Sequence, residues 1–78
     1  MNKARRKAIF EVQLKIDEIR EMLDEILDEE QQAYDNLPEG IQESERGFAM
    51  EEAADAIESA LGAIDEAYDF LDEACGEG

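Results

Sequence analysis

The sequence predicts an all-α fold, an antiparallel two-helix hairpin of the helical coiled-coil kind. Three observations predict it. Two apolar series advance in alternating steps of three and four residues, the period of a helix seam. The chain's single proline, Pro38, lies between them. The outer ends of the two series carry opposite charge, as two rods folded back on each other require.

The first series is Ile9, Val12, Ile16, Ile19, Leu23, Ile26, Glu30, Ala33 and Leu37. The second is Met50, Ala54, Ile57, Leu61, Ile64, Tyr68, Leu71 and Cys75. Each is sustained for about four heptads, which argues against the disorder that high charge can bring. A single helical-hairpin domain over residues 1–78 follows, with a helix over about 3–36, a turn over 37–44 and a helix over about 45–75. At about 1.5 Å per residue, the rods are about 50 and 46 Å long and match. Antiparallel pairing sets Ala33 against Met50, Ile26 against Ile57, Leu23 against Leu61 and Ile19 against Ile64. Ile16 then faces Tyr68, Val12 faces Leu71 and Ile9 faces Cys75. Two seam positions are unusual. Glu30 lies near the turn opposite small Ala54, where water reaches it. Cys75 reads as a small filler in the last turn before Gly76, a C-cap candidate.

The joint, "YDNLPEGIQESERG" over 34–47, carries ordinary punctuation. Pro38 disfavours helical geometry at Leu37 and stops the first helix. Gly40 permits a tight turn. Ser44 is an N-cap candidate, with Glu45 in the first turn. One short helical turn fits inside the link. A calcium loop does not. With Gly40 at the sixth position of an EF-hand, Asp35 and Glu39 fall correctly, but Leu37 takes the third place and Arg46 the twelfth, where a bidentate Glu belongs. The segment reads as a hinge.

Charge narrows the function classes. Twenty-three acidic residues oppose seven basic ones, for a net charge of −16. Lys3, Arg5, Arg6 and Lys7 crowd the start, and nothing basic follows Arg46. Alone, each of these ends opposes its helix dipole; side by side, the N-terminal cluster meets Asp69, Asp72, Glu73 and Glu77. Such a chain repels free nucleic acid and anionic membrane and attracts basic protein surfaces. There is no histidine, the commonest general base. No nucleophile–base pair and no metal-ligand pattern appears, and the reading is non-enzymatic, with no catalytic, cofactor-binding or metal-binding residues. No apolar run approaches the ~20 residues of a membrane span. The start lacks the apolar core of a signal peptide, and a cytoplasmic protein is expected.

The second helix is apolar over a wider arc than one neighbour covers. Ala53, Ala60, Ala67 and Ala74 flank its seam, and Ala49, Ala56, Ala63 and Phe70 form the next column. Self-association through Ala53, Ala56, Ala60, Ala63, Ala67 and Phe70, giving a homodimeric four-helix bundle, is expected. The bland reading is that alanine serves helix propensity. On the first helix, Phe10, Leu14, Met22, Leu27 and Tyr34 also lie off the seam.

The remaining columns of the second helix form an acidic ridge of Glu51, Glu52, Asp55, Glu58, Asp65, Glu66, Asp69, Asp72 and Glu73. That is one carboxylate per ~4 Å of helix, close to the ~3.4 Å phosphate spacing of a DNA strand. The ridge is the candidate binding surface for a basic, nucleic-acid-binding protein. The bland reading is a solvated face that keeps a small bundle soluble. The rival functional reading is a helical adaptor acting through homodimerisation or a partner helix. A third uses "KARRK" with Phe10 as a nucleic-acid or membrane contact, which acids across the hairpin would neutralise.

Residues 28–67, centred on "AYDNLPE" and "SERG…AMEEA", resemble small acidic helical proteins encoded by phages and mobile elements of Gram-positive bacteria. The resemblance covers about half the chain. It implies a helical hairpin in a mobile-element setting, where an acidic inhibitor of host nucleases, including CRISPR effectors, is a plausible role. It implies no role for any particular residue.

Overall fold

The computed structural model describes residues 1–76, which form three helices and no strand. Helix α1 is Lys3–Asp35, α2 is the single turn Glu39–Gln42, and α3 is Glu45–Gly76. Asn2 starts α1 by accepting from the Arg5 amide at 2.8 Å, which satisfies one of the orphan donors of the first turn. The expected cluster of cations follows at once, and α1 has no acid in its first turn.

Helices α1 and α3 lie along each other as a long extended pair. Gln13 reaches Asp72, Arg20 reaches Asp65 and Gln31 reaches Glu58, so residue numbers rise along one rod as they fall along the other. The molecule measures 58 × 15 × 12 Å. Its radius of gyration, 17.6 Å, far exceeds the ~11.5 Å of a compact domain of this length. It is one helical layer, and its core is correspondingly thin. Leu61, still 8% exposed, is the only buried large apolar side chain among the described residues.

The α3 seam is as the spacing predicts: Met50, Ala54, Ile57, Leu61, Ile64, Tyr68, Leu71 and Cys75 are all buried or half-buried. The α1 seam is not. Ile9, Ile16, Leu23 and Glu30 do turn inward, but their companions are Gln13, Leu27 and Tyr34, and Arg20 of the same column, though exposed, reaches across to Asp65. The expected column of Val12, Ile19, Ile26 and Ala33 is exposed, the first three at 47% each. Columns three and four residues on from the first lie about 50° to either side of it, so α1 is turned by about 50° from the expected register. Val12, Ile19 and Ile26 therefore flank the seam instead of lying buried in it opposite Leu71, Ile64 and Ile57.

Hydrogen bonding accounts for the rotation. Gln13, only 5% exposed, donates its amide to Asp72 Oδ1 at 2.8 Å and to the Tyr68 carbonyl at 3.3 Å. Arg20 Nε lies 3.1 Å from Asp65 Oδ1. The Tyr34 hydroxyl hydrogen-bonds the Glu51 carboxylate. With Val12 and Ile19 inward, these long donors would point away from the acidic flank of α3. A net hydrogen bond contributes about 1 kcal/mol, and the buried Gln13 amide, with two acceptors on α3, weighs more in this choice than the exposed Arg20–Asp65 pair. Asp72, expected beside the basic start of α1, is engaged by Gln13; the expected partner Glu77 lies outside the described residues.

The turn also differs in detail. Gly40 lies within α2, and no described glycine has a positive φ. Gly47 is the constrained one. A Cβ there would sit 2.1 Å from the Gln42 carbonyl oxygen, so only a hydrogen lets α3 pass the end of α2. Gln42 Nε2 donates to the Tyr34 carbonyl at 3.0 Å, tying α2 back to the end of α1. Ser44 precedes α3 as expected, but its hydroxyl donates to the Ile41 carbonyl, while its own carbonyl accepts from the Phe48 amide. Gly76 is the last residue of α3 and helical.

Candidate acidic interface

The nine carboxylates of the expected ridge do not form one uniform surface. They divide by the column of α3 from which they project. Glu51, Glu58, Asp65 and Asp72 recur every seven residues on the flank that meets α1, and each has a partner there. Those partners are the Tyr34 hydroxyl, the Gln31 amide at 3.4 Å, Arg20 and the Gln13 amide. Glu52, Asp55, Glu66, Asp69 and Glu73 are exposed and make no such bond among the described residues. Partnered carboxylates hold the helices in register, and the unpartnered ones face water.

Helix α1 adds to this side of the molecule. An open groove near the turn is lined by Glu30, Gln31, Tyr34 and Asp35 from α1 and by Met50, Glu51, Ala54, Asp55 and Glu58 from α3. A second, halfway along, is lined by Ile16, Asp17, Arg20, Asp65, Tyr68 and Asp69. Each groove places carboxylates around a tyrosine ring, an arrangement suited to a guanidinium or ammonium group, which both the charge and the π face attract. The two phenols register the field. Tyr34 is held above its ordinary value of 10.0, first by its hydrogen bond to Glu51 and then by desolvation and the charges of Glu51, Asp35 and Glu43. Tyr68 is raised by the charge of Asp17 first, then by desolvation, Asp72 and Asp69.

Sequence reasoning placed the acidic surface on α3 alone. It did not anticipate Asp17, Glu30 and Asp35 from α1, nor that Arg20 reaches into the surface and is held there by Asp65. The signal was available in the spacing. Gln13, Arg20, Leu27 and Tyr34 recur every seven residues with three long hydrogen-bonding groups among them, a second possible seam beside the aliphatic one.

The six residues expected to mediate self-association are all exposed. Ala53, Ala56, Ala60, Ala63 and Ala67 line one flank of α3, and Phe70 is 67% exposed. Cys75 is a free, half-buried thiol in the last turn. Among the described residues, no group of three or more acidic or cysteine side chains is placed to hold a metal ion, and no helix is long and apolar enough to cross a membrane.

No family model, curated protein or solved structure matches this chain.

Proposed function

We propose that this helical hairpin is a non-enzymatic acidic interaction module whose carboxylate-lined side occupies the basic groove of a nucleic-acid-binding protein. A phage or mobile-element inhibitor of a CRISPR effector or another defence nuclease would act in this way. One observation carries the proposal: from Glu51 to Glu73, α3 presents nine carboxylates and no basic residue on a rigid helix. The one cation that reaches this stretch, Arg20, is held against Asp65. A face meant only for solubility has no need of such one-sidedness, because surfaces of mixed sign serve as well.

Occupying a nucleic-acid groove exchanges condensed counterions for protein charge, as the nucleic acid itself does. Affinity should therefore fall steeply with salt. The test is competition between this protein and duplex DNA for a basic nuclease, measured over a range of salt. Charge reversal of the exposed acids Glu52, Glu66, Asp69 and Glu73 to Lys should abolish competition while helicity is retained. Competition that is indifferent to salt, or that survives the reversal, would remove this reading.

A second reading, a structural adaptor, is favoured by a separate observation. The alanine flank of α3 and the aliphatic column of α1 are both uncovered in the single chain.

A further inference from the structure

The hairpin is 12 Å thick, a single layer with two broad sides. Folded domains bury their apolar stripes by packing two layers together, and here the long uncovered apolar columns lie on one side, with Phe10 and Leu14 the exposed large apolar pair of the other. The bonds from Gln13, Arg20 and Tyr34 to Asp72, Asp65 and Glu51 fix the acidic flank of α3 and one flank of α1 on the same side. In an antiparallel pair, the remaining flanks of the two seams must then share the other side. Those flanks are Val12, Ile19 and Ile26 on α1, and Ala53, Ala60 and Ala67 on α3. The register of the same bonds sets Ile19 level with Ala67 and Ile26 level with Ala60.

We infer that this apolar side is the seat of a second copy of the chain. In the pair of copies, the aliphatic column of each α1 rests on the alanine column of the partner's α3. The inference uses the uncovered face of the adaptor reading and commits it to one occupant; it does not depend on what the acidic side binds.

Three features argue for a second copy. The first is area. The chain exposes 5933 Å², whereas a compact monomer of 8.8 kDa exposes about 4,800 Å². Covering the excess of about 1,100 Å² on each of two copies removes about 2,200 Å², the size of an obligate homodimer interface. The second is charge. Two copies at −16 repel each other, and this is the side on which they can meet. Along these columns and their outer neighbours, Glu29 is the only acid among the described residues. The third is shape. A two-fold axis parallel to the helices lays large residues on small ones at every level. Ile26 then meets Ala60 of the partner subunit, and Ile19 meets Ala67 of the partner subunit. Such an interface is self-complementary, as a two-fold contact must be.

Sedimentation at micromolar concentration should give twice the 8.8 kDa chain mass. Ile19→Glu alters a residue already exposed in the single hairpin, so helicity should persist while the dimer weakens by about 100-fold or more, because two charges are buried without partners. Leu14→Glu, on the acidic side, should leave the dimer intact. In a Cys75→Ser background, chains carrying Ile26→Cys mixed with chains carrying Ala60→Cys should cross-link through a short bismaleimide more efficiently than either variant with itself. A wild-type monomer, a helical Ile19→Glu variant that still dimerises, a Leu14→Glu variant that dissociates, or preferential Ile26–Ile26 cross-linking would each overturn the inference. None of these results bears on competition for a nuclease groove, so the two proposals fail separately.

Discussion

Tyr34 shows how one side chain serves both register and electrostatics. Its hydroxyl binds Glu51 across the pair, and its carbonyl accepts from Gln42 in the turn. The carboxylates around it disfavour the phenolate, so the folded chain binds the phenolic proton more tightly than an unfolded chain does. The resulting stabilisation is complete below a pH of about 10, the unperturbed value. It is lost as pH rises through the higher folded value. A spectrophotometric titration should therefore place both tyrosines above 10. Glu51→Gln should bring Tyr34 down, and Asp17→Asn should bring Tyr68 down. A titration unmoved by either substitution would show that the two carboxylates do not act as placed. Gln13 teaches a related lesson. A polar residue between aliphatic ones reads as solvent-facing, yet Gln13 is only 5% exposed, because both acceptors of its amide lie on the facing helix.

The helices themselves were legible in the sequence, and their relative rotation was not. Steps of three and four specify a helical rod with an apolar seam whatever the partner, and Pro38 breaks the pattern between the rods. The α3 seam could be read in full because alanine and carboxylates flank it and offer no second apolar line of comparable size. On α1, the columns beginning at Val12 and Gln13 flank the same central line of Ile9, Ile16, Leu23 and Glu30. Apolar content favoured the first, and hydrogen bonding across the pair selected the second. The divided role of the acidic ridge was hidden for the same reason, since it depends on which α1 donors face it. The turn hid its constraint in Gly47, which looks like an ordinary helical glycine until α2 is placed beside it. Gly47→Ala should destabilise the fold by about 1–3 kcal/mol through overpacking against Gln42. Gly62→Ala, in the open middle of α3, should stabilise it by about 0.5–1 kcal/mol. Thermal melts of the two variants should shift in opposite directions, and a shared direction would refute the contact at Gly47.

At the scale of the whole molecule, charge works against the fold. A net charge of −16 on a thin rod is self-repulsive, and the exposed bond between Arg20 and Asp65, each about half-accessible, returns little. Raising ionic strength from about 0.01 to about 0.15 M shortens the screening length from about 30 to about 8 Å. The thermal midpoint should rise over that range. A midpoint that falls would mean that attractive pairs outweigh the overall repulsion. The same long-range field would draw a basic partner towards the acidic side and away from the apolar one.

The 58 Å length against 12 Å of thickness has a consequence for how this body moves. Nearly all amide N–H vectors in α1 and α3 point along the long axis, and a rod tumbles slowly about any axis that reorients that direction. In solution, those amides will share one long correlation time, with faster transverse and slower longitudinal relaxation than the chain's mass implies, so nuclear spin relaxation will report the rod's proportions directly.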